Sequence, residues 1–165
     1  MVMDPWHCRR PHRLRGHDYS SPGAYFVTVD THERRRLFGT ITDGRFVPND
    51  AGRMIADGLA SLPVRFAHSG VDTSVVMPDH VHVILVLREW EWAATRAAPT
   101  LGDIVGAFKS ITTVGYIRGV RQSGWPPFTQ HLWQRDYHDH VVRDAADLDR
   151  IRRYIIDNPA NWDKP

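Results

Sequence analysis

Two histidines with one valine between them, His80 and His82, stand inside the apolar run 75–87, VVMPDHVHVILVL. A strand repeats every two residues, so both imidazoles face the same way. Neutral imidazole is the commonest protein ligand for a divalent metal, and a rigid strand fixes both nitrogens before the ion arrives. Near the C-terminus, Tyr154 and Asn158 are four residues apart and therefore neighbours on one helix surface. If that helix lies beside the histidine strand, the Asn158 oxygen could supply a third ligand and leave Tyr154 near the open side of the metal. Two nitrogens and one oxygen make an incomplete octahedral site, suited to a magnesium or manganese ion that also takes water and substrate oxygens.

That combination suits phosphoryl transfer. A metal on a non-bridging phosphate oxygen withdraws charge and stabilises a leaving 3′ oxygen, while a tyrosine hydroxyl attacks phosphorus to give a phosphotyrosine. The reference pKa of tyrosine is about 10, so the hydroxyl needs a Lewis acid or a guanidinium nearby. Arg150, one turn before Tyr154, is placed to provide one. Each residue also has a plainer reading: histidines satisfied by polar neighbours, a core aromatic with its hydroxyl at the surface, a solvent-facing arginine.

The elements that must position these groups follow from patterning. Val81, Val83, Leu85 and Leu87 line one face of the histidine strand, and Ile84 and Val86 continue the histidine face. A strand apolar on both faces belongs in mid-sheet. Before it, Tyr25 to Val29 reads as a first strand, and Leu37–Thr42 and Arg45–Pro48 flank Asp43-Gly44 as a small hairpin. Asn49 or Asp50 caps a helix whose apolar positions are Met54, Ile55, Leu59 and Leu62, with Gly52 and Gly58 weakening it. Gly70 to Met77 is a strand. Thr100 and Asp103 form a capping box for a second helix with the stripe Leu101, Ile104, Val105, Phe108, Ile111 and Thr112. His131–Gln134 and Tyr137–Val142 read as short extended pieces. Asp144 caps a last helix with the stripe Leu148, Ile151 and Ile155, and Pro159 is expected to stop it. This order predicts an α+β, ferredoxin-like antiparallel sheet with helices packed on one face.

The chain is one domain by size: 165 residues with 42% hydrophobic content. The lone Cys8 excludes an internal disulfide and a cysteine-rich zinc cluster. No apolar run approaches the roughly 20 residues of a membrane span, and the N-terminus lacks the apolar core of a signal peptide. A cytoplasmic protein without membrane contact is the expectation. A formal net charge of +2 does not by itself announce a nucleic-acid partner. Its distribution says more: in the arm 1–20, Arg9, Arg10, Arg13 and Arg15 stand against Asp4 and Asp18, and Arg34, Arg35 and Arg36 follow the first strand. Such runs are solvated tails or straps for phosphates.

Met77-Pro78-Asp79-His80-Val81-His82 resembles the His-hydrophobe-His signature of the HUH single-strand endonucleases. Residues 133–143, WQRDYHDHVVR, followed by 151–159, IRRYIIDNP, resemble the second half of the REP-associated tyrosine transposases, an IS200-like group. Leu14 to Thr31 and Ala107-Phe108-Lys109-Ser110 are similar to the same family. The resemblance covers nearly the whole chain. It implies a single-tyrosine, metal-dependent transposase that nicks and rejoins single-stranded DNA at short palindromic hairpins, bound to the nucleoid as monomer or homodimer. It implies His80, His82 and Asn158 as metal ligands, and it selects Tyr154 over Tyr137 as the nucleophile. Arg9, Arg10, Arg13, Arg15, Arg34, Arg35, Lys109 and Arg150 are the candidates for DNA contact. Asp79 departs from the asparagine the family often shows, and His138 and His140 form a second His-x-His read as strand or DNA-contact residues. The rival readings are a domesticated module that binds DNA or RNA hairpins without cutting, and a zinc hydrolase, weakened by the absence of His-Glu-x-x-His.

Overall fold

The structure is a computed structural model that describes residues 14, 16–90 and 97–162. Its sheet is built from β1 (Gly23–Asp30), β4 (Ser69–Val76), β5 (His80–Leu87) and β6 (His138–Val141), in the order β4-β5-β1-β6 and antiparallel throughout. The histidine strand β5 is internal, as its two apolar faces require, and every residue in it except Val86 is buried. A separate hairpin, β2 (Gly39–Thr42) and β3 (Arg45–Pro48), turns through Asp43 (φ 50°) and Gly44 (φ 68°). Both central residues take the positive φ that a primed turn demands.

Helices α1 (Asp50–Ala60), α2 (Leu62–Arg65) and α3 (Leu101–Ser123) follow the sequence signals closely. Asn49 caps α1 by accepting from the Gly52 N–H at 2.8 Å, and Thr100 and Asp103 close a capping box on α3. The glycines of α1 serve close packing: a Cβ on Gly52 would lie 2.1 Å from the Phe38 carbonyl oxygen, and one on Gly58 would lie 2.7 Å from Thr112 of α3. Their cost to helix propensity is offset by that approach. Ile55, Leu59, Ile104, Val105 and Phe108 pack with Val27, Val29, Val81, Val83 and Leu85 into the main core. The connection β1-α1-β4-β5-α3-β6 is the ferredoxin-like order, with the β2/β3 hairpin inserted and α4 (Ala145–Asn161) appended.

Helix α4 covers the histidine side of the sheet. Ile151 and Ile155 are fully buried against Phe26 and Ile84. Arg152 binds Asp72 of β4 through Nε at 2.9 Å and a terminal nitrogen at 2.6 Å, tying the helix to the sheet edge. Pro159 does not stop α4: the helix runs to Asn161, with Trp162 still in the αR region. A proline removes one N–H and its ring disfavours αR at the residue before it, yet so near the C-terminus few intrahelical bonds remain to lose, and the Trp162 N–H bonds to the Pro159 carbonyl at 3.4 Å. The extra turn carries Trp162 to the histidines. The extended piece expected at His131–Gln134 is a single bridge, Thr31 to Trp133, and Trp133 is a packing residue whose Nε1–H donates to Thr112 at 2.9 Å.

The start of α4 is fixed by Asp147, which accepts from His140 Nε2 at 2.8 Å, from the Arg143 N–H at 3.1 Å and from Arg150. Burial pushes its carboxyl up, but these three donors outweigh burial and hold it far below the ordinary carboxylate range. A depressed folded pKa supplies stability that is present above the unfolded value, about 3.9, and is lost as pH falls towards the folded one. Asp147→Asn is therefore expected to cost about 2 kcal/mol at pH 7, with the deficit shrinking below about pH 4. Thermal melts of both proteins across pH measure this; a deficit equally large at pH 7 and pH 3 would count against it.

Candidate active site

The register of β1 and β5 sets Thr28 opposite His82 and Asp30 opposite His80 on one face of the sheet. His82 and His80 are buried, at 0% and 3% exposure. Each ring is held by its Nδ1. His80 Nδ1 donates to the Asp79 carboxylate at 2.6 Å, and His82 Nδ1 shares a hydrogen bond with the Thr28 hydroxyl at 2.7 Å. A carboxylate accepts only, so a neutral His80 ring carries its proton at Nδ1 and a lone pair at Nε2. The two Nε2 atoms converge to 3.0 Å from each other.

This donor set fits a divalent metal. Two nitrogens about 2.1 Å from one ion and at right angles around it would be about 3 Å apart, which is the separation observed between the rings. A carboxylate behind one ligand histidine is the arrangement that fixes tautomer and ring orientation in metal sites. Among the described residues no group of three or more His, Cys, Asp or Glu side chains is arranged to hold a metal.

Tyr154 comes to the same point from α4. Its hydroxyl is 3.4 Å from His82 Nε2, and its ring meets His82 and Phe26 edge-on at 5.3 and 5.9 Å. Two turns later Trp162 stacks on His80, with ring centroids 5.7 Å apart and planes inclined by 23°, and the Arg36 guanidinium lies 5.3 Å from the indole centroid. The half-buried Asn158 is midway between these two aromatics on the helix. The sequence reading missed Trp162, whose signal was the spacing 154, 158, 162, masked by the stop assigned to Pro159. Trp162→Ala is expected to destabilise the protein by about 1 kcal/mol, or 2–4 °C in Tm for a chain of roughly this size. An unchanged melt would mean that the stack contributes nothing.

The remaining candidates are dispersed. Arg34 bridges Asp30 and Asp79. Arg35 donates to the Pro127 carbonyl at 3.2 Å, and Arg150 is paired with Asp147. The Lys109 ammonium donates to the carbonyls of Gln134, Arg135 and Asp136 at 2.8, 3.1 and 3.0 Å. Burial pushes its pKa down against the pull of Asp136 and Asp30. His138 Nε2 lies 3.8 Å from Asp30, and His140 binds Asp147, so the second His-x-His points its rings at carboxylates rather than at a shared centre. Arg9, Arg10, Arg13 and Arg15 lie outside the described residues.

A ferredoxin-like sheet thus presents a His-x-His pair beneath a tyrosine-bearing helix. Among solved structures, a REP-associated tyrosine transposase bound to a REP hairpin has a TM-score of 0.63 to this chain at 19% identity, covering 89% of this chain and 72% of that one. A protein of Deinococcus radiodurans R1 with a provisional transposase designation gives a TM-score of 0.50 at 18% identity, covering 88% of this chain and 95% of that one. In sequence, an uncharacterised protein of Haemophilus influenzae Rd is 29% identical over 175 residues, covering 96% of this chain and 92% of its own. No family model matches. The chain thus has the fold of the REP-associated tyrosine transposase it resembles.

Proposed function

We propose that this protein is a REP-associated tyrosine transposase that nicks and rejoins single-stranded DNA at short palindromic hairpins. The observation that carries the reading is the approach of the Tyr154 hydroxyl to within 3.4 Å of His82 Nε2, one of two converging imidazole nitrogens. His80 and His82 would hold a magnesium or manganese ion, with the Asn158 amide oxygen completing the protein ligands from the helix face between Tyr154 and Trp162. When bound, the ion neutralises charge on the scissile phosphate and stabilises the departing oxygen.

Tyr154 supplies the nucleophile: its oxygen forms a bond to phosphorus as the bond to the 3′ oxygen breaks, leaving a 5′-phosphotyrosine and a free 3′ hydroxyl. Attack by a 3′ hydroxyl on that linkage reverses the step and rejoins the strand. Packing of the tyrosine ring against Phe26 and His82 keeps the hydroxyl at the pair, so little reorganisation precedes attack. Arg35 and the arginines of the arm 1–20 would hold the hairpin backbone, with Arg150, one helical turn before Tyr154, a further candidate. Such contacts fix register and carry no base information.

The test is a hairpin oligonucleotide taken from palindromes flanking the gene, incubated with protein and either manganese or EDTA and resolved on a denaturing gel. A nick that needs the metal supports the reading. Tight binding without cleavage, across several hairpins and both metals, would favour the non-cutting binding module.

A further inference from the structure

We infer that Arg34 is a positioning residue for the histidine pair, pinning the Asp79 carboxylate onto His80, and not a strap for DNA phosphate. The inference rests on the proposed metal role of His80 and His82. Three observations carry it. First, the Arg34 guanidinium joins two buried carboxylates: one terminal nitrogen pairs with Asp30 Oδ1, and Nε lies 3.3 Å from Asp79 Oδ2. Asp30 and Asp79 are 4% and 5% exposed. Two buried carboxylates side by side need a shared cation.

Second, the oxygens of Asp79 divide their work. Oδ2 faces Arg34, while Oδ1 accepts the His80 Nδ1–H at 2.6 Å. Rotation of the carboxyl is thereby blocked from both sides, which fixes the ring whose Nε2 faces His82.

Third, the backbone that delivers Arg34 is strained. Glu33 and Arg34 sit consecutively at φ 57° and 53°, in the left-handed region. Each such residue is unfavourable and persists only where its surroundings enforce it. Here the enforcement is visible, and it acts on Asp79 itself: the Thr31 N–H and hydroxyl both donate to the Asp79 carbonyl at 2.9 Å, and the Leu37 and Phe38 N–H groups bond the Pro78 carbonyl at 2.8 and 3.1 Å. The 31–38 segment is stitched to the Pro78-Asp79 turn at both its ends. An arginine serving only as a solvent-facing strap would need none of this.

Loss of the outer partner of a ligand histidine typically weakens metal binding by about 10- to 100-fold. The experiment uses the full chain with Mn²⁺ alone, read by electron paramagnetic resonance of free Mn²⁺, together with ¹⁵N shifts of the His80 ring in metal-free protein. Arg34→Gly removes the guanidinium while suiting the positive φ, and circular dichroism checks that the sheet survives the loss of the shared cation. Asp79→Ala removes the carboxylate. Each is expected to weaken Mn²⁺ binding by about 10- to 100-fold, to erase the bare-Nε2 signature of His80, and to leave hairpin binding in EDTA intact. The double variant should be no weaker than Asp79→Ala, because Arg34 acts through Asp79.

Wild-type Mn²⁺ affinity and an unchanged His80 tautomer in Arg34→Gly would overturn the inference. So would loss of hairpin affinity with Mn²⁺ binding intact, which would return Arg34 to phosphate contact. Failure of the wild-type protein to take up Mn²⁺ would overturn the metal reading. The ring shifts would still decide on their own whether Arg34 sets the tautomer.

Discussion

Tyr154→Phe is expected to abolish the covalent DNA adduct and to lower strand cleavage by about 10⁴-fold or more, the scale on which enzymes respond to loss of their nucleophile. The substitution deletes one oxygen. The ring contacts with Phe26 and His82 at 5.9 and 5.3 Å are kept, so folding and hairpin binding should survive. Denaturing gels measure the adduct, and gel shifts in EDTA measure the binding. Residual cleavage within tenfold of wild type would remove Tyr154 from the chemistry and leave it a core aromatic.

His82→Gln has the second-largest expected effect. The imidazole is fully buried, shares a hydrogen bond with the Thr28 hydroxyl at Nδ1, and stands with its Nε2 between the Tyr154 hydroxyl and His80 Nε2. A metal contributes several kcal/mol of charge stabilisation, so losing the ligand should slow metal-dependent cleavage by about 10³-fold. Mn²⁺ binding should fall in parallel. Glutamine keeps a polar group facing Thr28, and circular dichroism checks that the sheet survives. Cleavage that remains metal-dependent with unaltered Mn²⁺ affinity would place the ion elsewhere.

Much of this arrangement was legible from residue order because the strongest signals coincide. Period-two alternation with apolar residues on both faces could describe only an internal strand, and β5 is internal; the Thr100 and Asp144 caps mark the starts of α3 and α4. The rest was hidden for physical reasons. Pro159 reads as a terminator because local sterics say so, yet a last helical turn has few bonds to lose, and Trp162 went unnoticed behind it. The clamp on Asp79 is non-local: Arg34 reaches it through two left-handed residues that no composition rule anticipates. Lys109 looked like a phosphate contact, and its three carbonyl partners come from a segment about 25 residues further on.

The most direct measurement is the mass of the peptide that begins at Tyr154, recovered after digestion of protein trapped on a manganese-treated hairpin. A nucleotide adduct on Tyr154, absent in EDTA, is the result expected of a single-tyrosine transposase whose nucleophile stands against the His80–His82 pair. An adduct on Tyr137, or a cut strand with no tyrosine adduct anywhere, would contradict that account.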